Sequence, residues 1–253
     1  ATNLEHLSNS SQNHLIKVEA GNFTAQASLI KGRLGTYGHA TPYNYDYHTW
    51  DGYTDYNLKF GKKLSLRPSF SYQHATIDDT PYSIAVGLEG VFNNKASMYN
   101  YAASLKADYA PIKSLRVIGA IRADKFQHPD DTYLSYQGIV TYRTHENGII
   151  RLLCGRSYTG SFIQSTFLNW TLYEDPFFKM RALGNKNLDL LQNEILELGY
   201  KIKAGKHLSI DASVFRQRYS NFSTAVTNVV AEGSIVPLQQ AEWDVVYENI
   251  ALE

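Results

Sequence analysis

The chain has 253 residues, a formal net charge of zero and a pI near 7.3, so it lacks the basic excess that is usual in nucleic-acid-binding proteins. No run of about 18 apolar residues is present, which excludes a transmembrane helix. Cys154 is the only cysteine, which excludes a disulfide or a CxxC metal framework. The 19 tyrosines are unusual, and tyrosine is favoured in strands and at membrane interfaces.

The beginning of the chain predicts a hairpin followed by a flexible segment. Residues 14–19 and 23–30 predict two strands that turn at Gly21 and Asn22. Residues 31–47 contain glycines at a spacing similar to that of a phosphate site, but no strand, turn and helix surround them. We therefore predict a long loop there rather than a phosphate-binding site.

Two further strands are predicted at 50–60 and 64–72, on either side of a turn at 61–63. Pro68 lies in the second of them and cannot donate a hydrogen bond to a neighbouring strand. It therefore predicts a bulge or a local break in the sheet. Residues 74–96 are then predicted to form a long loop.

The clearest strands of the chain are predicted between Ser97 and Asp124. Apolar residues and tyrosines alternate there with polar and charged residues, and the alternation is interrupted by a turn at 110–113. Each strand thus has an apolar face and a charged face. A soluble protein would bury the apolar face in a core, whereas a membrane barrel would expose it to lipid and turn the charged face to its lumen.

The second half of the chain repeats this arrangement. One hairpin turns at Asn147-Gly148, a strong turn signal, and another turns at 204–206. In total the sequence predicts roughly eleven strands and no convincing amphipathic helix. In this half of the chain, strands are predicted at 134–143, 150–154, 196–203, 208–214 and 243–250, and connections are predicted at 126–131, 160–192 and 219–241.

Two patterns favour the membrane barrel over the soluble sheet. Short turns alternate with mostly long connections, as in outer-membrane barrels. Aromatic residues also form one row beside the short turns and another toward the long loops, about 19 Å apart for a tilted strand. The fold predicted is all-β, an antiparallel up-and-down transmembrane β-barrel. The two rows are Phe60, Tyr109, Tyr142 and Tyr200, and Tyr72, Tyr101, Tyr136 and Tyr158.

Three motifs resemble the barrel of TonB-dependent outer-membrane receptors. Residues 184–188 (GNKNL) followed by 197–201 (ELGYK) are similar to the most specific signature of that family. The runs 109–124 and 150–158 resemble a hairpin and a strand of the same barrels. Leu190-Leu191 departs from the family, which commonly has Pro-Glu shortly after the signature.

The resemblance implies one wall of roughly eleven strands from a barrel of about 22 strands. It implies a receptor that uses energy from an inner-membrane complex to import a scarce ligand such as an iron chelate. We expect residues 1–253 to be a partial barrel domain that lacks the plug domain and the final strands. The partners expected are outer-membrane lipid, the TonB complex through the missing N-terminal part, and a small-molecule or metal-chelate ligand, with no nucleic acid and no cofactor.

No nucleophile elbow, zinc-protease pair or Walker loop is present, so no enzyme activity and no resident metal are predicted. Histidines and aromatic residues near the long loops are candidates for ligand binding on the extracellular side, because such residues are usual in ligand pockets. Their alternative interpretation is as surface and interface residues. The candidates are His39, Tyr43, Tyr45, Tyr47, His48, Trp50, His74 and His128.

Five arginines are predicted to face the lumen, because they alternate with the apolar residues. We expect them to form ion pairs with Asp108, Asp124 or the missing plug. They are Arg67, Arg116, Arg122, Arg143 and Arg151.

Two other functions remain open at this point. A porin-like passive channel would share the barrel but not the plug or the energy coupling, and the coding region upstream would distinguish it. A soluble all-β ligand-binding module would stay monomeric in buffer without detergent. The bacterial outer membrane is the location predicted for the leading hypothesis.

Overall fold

One large antiparallel sheet dominates the computed structural model, which describes residues 9–35, 44–82, 91–92, 95–205, 207–235 and 238–250. The sheet has 11 strands, and each strand pairs with its neighbour in the up-and-down order predicted from the sequence. The sheet does not close on itself within these residues. Its strands are β1 (Ser10–Ala20), β2 (Phe23–Gly35), β3 (Asn44–Tyr56), β4 (Leu58–Phe60), β5 (Leu64–Asp78), β6 (Lys95–Ile112), β7 (Leu115–Phe126), β8 (Thr132–His145), β9 (Gly148–Thr159), β12 (Leu191–Ala204) and β13 (Leu208–Ser220).

A smaller sheet lies in the long connections. The segment between β9 and β12 contains a five-residue helix and two strands, and two further strands follow β13. The order in this sheet is β10-β11-β17-β14, and β11 runs parallel to β17. These elements are α1 (Ile163–Phe167), β10 (Asn169–Glu174), β11 (Phe178–Leu183), β14 (Phe222–Ala231) and β17 (Ala241–Ile250), with a two-residue pair β15 (Ser234–Ile235) and β16 (Leu238–Gln239).

Tight turns fix the register of the large sheet. Gly21, in the turn between β1 and β2, has a φ of 60°, and Gly205, between β12 and β13, has a φ of 74°. Residues with a side chain rarely adopt this conformation. Because side chains alternate along each strand, the turns also decide which residues share a face.

Pro68 breaks one ladder of the sheet without inserting a residue. In β5, the residues from Ser69 to Asp78 pair with β3, and the residues from Leu64 to Leu66 pair with β4. The two ladders have the same register. On its other side, Pro68 pairs with Leu105 of β6 without interruption. The predicted local break is therefore present, and it separates β3 from β4 because proline lacks the N–H that this ladder needs.

Several predicted loops are in fact strands. Within 31–47, β2 continues to Gly35 and β3 begins at Asn44. Within 74–96, β5 continues to Asp78 and β6 begins at Lys95. The loop predictions for 160–192 and 219–241 were also wrong, because these segments contain α1, β10, β11 and β14. The strand predicted at 243–250 exists but belongs to the small sheet, where it pairs with a strand some 60 residues earlier in the chain.

Buried apolar side chains are few and lie at one end of the large sheet. Ile77 and Ala96, at the long-connection ends of β5 and β6, pack with Phe92, Leu168 and Ala182 from the connections. The core thus joins the small sheet to the large one. Among the described residues, no helix has the length and apolar character needed to cross a membrane.

The two ends of the large sheet, β1 and β13, each pair on one side only within the described part of the chain. Every residue of β1 is exposed, and so is every residue of β13 except Ser220. A strand at the edge of a sheet presents an unpaired row of backbone donors and acceptors. Both edges are therefore open to further pairing.

Candidate functional site

The large sheet has an apolar outward face and a polar inward face. The Nη2 atom of Arg122 on β7 donates a hydrogen bond to Oγ of Ser71 on β5 at 3.1 Å, across the intervening strand β6. Side chains meet across an intervening strand on the concave side of a curved sheet, so this side is the inward face. Ser69 and Ser104 also hydrogen-bond on it, at 2.5 Å between their hydroxyl oxygens.

Ion pairs run along the inward face. Nε of Arg116 lies 2.9 Å from Oδ1 of Asp108, and Nε of Arg122 lies 2.9 Å from both carboxylate oxygens of Asp124. These are the two carboxylates that the sequence named as partners. Arg67 lies 3.6 Å from Asp55 and Arg151 lies 2.6 Å from Glu197. Arg143 makes no ion pair within the part of the chain that the structure describes.

A cavity of about 610 Å³ opens on the inward face near the long connections. Polar residues of six strands form its wall, and the segment just before α1 covers one side. Arg122 and the buried carboxylate of Asp124 lie among them, so the cavity contains a fixed ion pair. The remaining lining includes Gln73, Asn100, Ser135, Ser157, Ser161, Met98, Tyr99, Phe126, Tyr158 and Phe162.

The predicted ligand-binding residues do not come together in this cavity. Trp50 and His74 pair on neighbouring strands and share the outward face with Phe70 and Tyr72, and His48 follows the same alternation. Tyr45 and Tyr47 lie on the opposite face and pack against the small core. His39 and Tyr43 lie outside the described residues. Of all the predicted site residues that the structure describes, Arg122 alone lines the cavity.

His128 lies in the connection between β7 and β8, next to residues of the long connection. Its ring packs edge-on against Phe167, with 5.3 Å between ring centroids, and Nζ of Lys186 lies 5.1 Å from the centre of the same phenyl ring. Burial and then the charge of Lys186 lower the pKa of His128, against the opposing effect of Asp130. The uncharged imidazole is therefore the form that fits this contact.

The segment 184–190 connects α1 with the small sheet. The backbone N–H of Gly184 donates to the carbonyl of Leu168 at 2.6 Å, and a Cβ atom at this position would lie 2.6 Å from the backbone of α1. Nδ2 of Asn185 donates to the carbonyl of Tyr247 in β17 at 3.0 Å. Leu188 and Leu190 are almost completely buried. The GNKNL sequence thus acts as a latch between α1 and the small sheet.

A partly buried ion pair stabilises the small sheet itself. Nε and Nη2 of Arg181 on β11 each lie 2.9 Å from a carboxylate oxygen of Asp244 on the parallel strand β17. Asp175 organises the turn between β10 and β11, because its Oδ1 atom accepts hydrogen bonds from the backbone of Phe177 and Phe178 at 2.7 Å. A hydrogen bond from the hydroxyl of Tyr173, and then these backbone bonds, lower the pKa of Asp175. No cluster of three or more metal-ligating side chains occurs among the described residues.

The family model described as "TonB dependent receptor-like, beta-barrel" matches residues 3–251, almost the whole chain. The chain belongs to this family. TonB-dependent receptor barrels are outer-membrane proteins of Gram-negative bacteria. Comparison with curated protein sequences gave no match.

Solved structures of TonB-dependent receptors share the fold at low sequence identity. The ferric enterobactin receptor PfeA of Pseudomonas aeruginosa is 13% identical, with a TM-score of 0.74 over 95% of this chain and 39% of that one. The siderophore receptor PirA of Acinetobacter baumannii is 12% identical, with a TM-score of 0.67 over 96% and 40%. The iron transporter FrpB of Neisseria meningitidis is 11% identical, with a TM-score of 0.60 over 85% and 37%. The chain spans about two fifths of these structures.

The aromatic rows fit the interface belts of this TonB-dependent receptor barrel. Tyr101 and Tyr109 of β6 are both exposed at the two ends of its apolar stretch, as are most members of the two rows. Tyr158 differs, because its ring packs against Tyr133 at 4.9 Å between centroids and borders the cavity.

The cavity lining has a signal in the sequence. At the long-loop ends of the strands, polar residues alternate onto the inward face, and this alternation identifies most of the residues that line the cavity.

Replacing Gly184 with alanine is expected to release the latch of this receptor barrel. The added methyl group would overlap the backbone of α1 at its C-terminal end, at a cost of roughly 1–3 kcal/mol. Hydrogen exchange of the small sheet in the full-length protein should accelerate, while the large sheet stays protected. The control is Gly119→Ala, where nothing lies within 4 Å of the new methyl group. Equal exchange in both variants would contradict the latch.

Acid is expected to loosen the contact of His128 with Phe167. Because the pKa of His128 is lowered in the docked loop, the undocked loop binds a proton first as the pH falls through about 6.5. Docking is thus complete at neutral pH and weakens on acidification. Hydrogen exchange of residues 127–131 should rise between roughly pH 7.5 and pH 5.5, and the rise should disappear in His128→Gln. A rise that persists in this variant would assign the effect to another group.

Proposed function

We propose that this chain forms part of the wall of an outer-membrane receptor that imports an iron chelate with energy from the TonB complex. The observation that carries the proposal is the inward cavity of about 610 Å³ at the long-connection end of a sheet whose other face is apolar. Pockets for small ligands commonly have volumes of about 300–1,000 Å³. The cavity is therefore of the size that such a ligand requires.

Three solved relatives support the iron chelate as the class of ligand. PirA is named as a siderophore receptor, PfeA as a ferric enterobactin receptor and FrpB as an iron transporter, and one structure of a PfeA mutant contains enterobactin. The cavity of this chain offers the guanidinium of Arg122 for an anionic ligand, and Tyr99, Phe126 and Phe162 for its apolar or aromatic parts. This combination suits a chelate with charged oxygen atoms and organic arms.

The predicted residues outside the cavity complete the proposal. Tyr45, Tyr47 and His128 lie at the same end of the sheet as the cavity, where they would contact a ligand before it enters the lumen. Trp50, His48 and His74 lie on the outward face, where the alternative interpretation is that they belong to the interface residues of the barrel. The plug and the TonB contact belong to the part of the receptor that this chain does not cover, and residues 1–253 form a partial barrel domain in this proposal.

Deleting the parent gene is expected to abolish uptake of radiolabelled iron from at least one siderophore when iron is scarce. The intact gene on a plasmid should restore uptake, and a protonophore should stop it, because transport of this kind consumes energy from the inner membrane. Uptake that continues with the protonophore would favour the passive channel instead. Unchanged uptake of every iron chelate tested would remove this class of ligand from the proposal.

The double variant Arg122→Gln, Asp124→Asn tests the cavity. It removes both charges, so neither is left buried without its partner, and we expect the ligand to bind about tenfold more weakly because one charged contact is lost. The matched control is Arg116→Gln, Asp108→Asn, an ion pair on the same face of β6 and β7 near the short turns. Binding of the siderophore that the uptake assay identifies should be measured by titration calorimetry. Equal affinity in the two variants would exclude the cavity as the binding site.

A further inference from the structure

Positive charge collects at the short-turn end of the inward face. A pocket of about 430 Å³ opens there, between the turn at 61–63 and the ends of β6 and β7. It is separate from the cavity described above, which lies at the long-connection end of the sheet. Five charged residues line this pocket, and we call them the basic cluster: Lys59, Lys62, Lys63, Asp108 and Arg116.

Sheet register places the basic cluster on the inward face. Lys59 of β4 pairs with Ser65 of β5, which in turn pairs with Asp108 of β6. Ser65 has the same parity as Ser69 and Ser71, whose hydroxyl groups lie on the inward face. Neighbouring strands lie about 4.8 Å apart, so the backbones of Lys59 and Asp108 are separated by roughly 10 Å.

The turn at 61–63 holds two of the lysines in place. Gly61 has a φ of 63°, which suits a tight turn between β4 and β5. The carbonyl of Lys63 accepts a hydrogen bond from the backbone N–H of Ala110 at 2.7 Å, so the turn is attached to the end of β6. Lys62 and Lys63 are both exposed. Their backbone is therefore fixed, while their side chains are free to meet an ion.

The basic cluster has an excess of positive charge. Nη2 of Arg116 lies 2.5 Å from Oδ2 of Asp108, so this arginine and this carboxylate balance each other. Lys59, Lys62 and Lys63 form no ion pair with any residue in the described ranges. Four cations and one carboxylate thus leave the pocket with a net charge of +3.

The two ends of the inward face differ in charge. Among the described residues that line the long-connection cavity, only Arg122 and Asp124 are charged, and they pair with each other. Arg122 and Arg116 are six residues apart on β7, which corresponds to about 20 Å along the strand. This distance exceeds the screening length of roughly 8 Å at physiological salt. An anion that moves along the wall therefore meets a separate and stronger positive field near the short turns.

We propose that the basic cluster is a second anion-binding site, which receives the carboxylate or other oxyanion groups of the imported chelate as it leaves toward the periplasm. The short turns of such barrels face the periplasm. The residue types suit release, because lysine is a flexible point charge, whereas the planar guanidinium of Arg122 binds an oxyanion in a bidentate manner. The inference rests on the proposed import function and adds the exit side of the lumen to it.

Protection of the lysines in the full-length receptor tests the site directly. The protein in nanodiscs is acetylated with and without citrate, a tricarboxylate probe, at constant ionic strength, and each lysine is followed by mass spectrometry. We expect citrate to slow acetylation of Lys59, Lys62 and Lys63. Lys113 lies in the next short turn and outside the pocket, so its rate should not change. In Lys59→Gln, Lys62→Gln, protection of Lys63 should require about tenfold more citrate, since each exposed charge contact contributes roughly threefold in affinity.

Transport by a triple variant separates exit from capture. Lys59→Gln, Lys62→Gln, Lys63→Gln should bind the siderophore that the uptake assay identifies as well as the wild type does, in cells treated with a protonophore, because the long-connection cavity is intact. Its maximal uptake rate should fall about threefold, as expected when one exposed charge contact limits the exit step. Lys59→Arg, Lys62→Arg, Lys63→Arg keeps the positive charge and should keep most of the uptake.

The matched control removes the same charge from other short turns. Lys113→Gln, Lys201→Gln, Lys203→Gln lies outside the pocket and should import at the wild-type rate. Equal acetylation of the pocket lysines with and without citrate would overturn the proposal, and so would equal uptake by the triple variant and this control. A failure of the proposed import function would differ from both, because no chelate would enter wild-type cells although citrate still protects the pocket lysines.

Discussion

The alternation of side chains along paired strands is the constraint on which this structure depends. Each backbone ladder of the large sheet fixes a register, and the register sends successive side chains to opposite faces. One face can then be apolar between the two aromatic rows while the other carries ion pairs such as Arg122–Asp124. The cavity and the aromatic rows are both consequences of which parity a residue has and how far it lies from a turn.

Local pattern predicted the hairpins well, because their information is local. Strong alternation from Ser97 to Asp124 and the turn at Asn147-Gly148 were sufficient to place β6 to β9. The small sheet could not be predicted in this way. Strand β11 has six residues, and its partner β17 lies about 60 residues further along the chain, so the pairing depends on tertiary contacts that no short window contains. The position of His74 could not be read from the local pattern either: the sequence predicts a loop there, whereas His74 lies within β5 and its parity places it on the same face as Tyr72.

The family signature has a structural explanation in this chain. Gly184 is required because the backbone of α1 leaves no space for a Cβ atom, and Asn185 reaches the backbone of β17 through its side-chain amide. Leu190, which stands where the family commonly has Pro-Glu, is completely buried. The sequence shows that such a motif exists, but only the packing shows that it connects α1 with the small sheet.

The paired ladders of the large sheet have a consequence for the way such a wall reaches a membrane. In hydrocarbon each backbone group without a partner costs several kcal/mol, and the edge strand of a partly assembled sheet carries a whole row of them. Such a sheet is therefore a high-energy species in lipid, however apolar its outward side chains are. Assembly that keeps the growing edge engaged with a template or an aqueous path avoids this cost until the last pair of strands has joined.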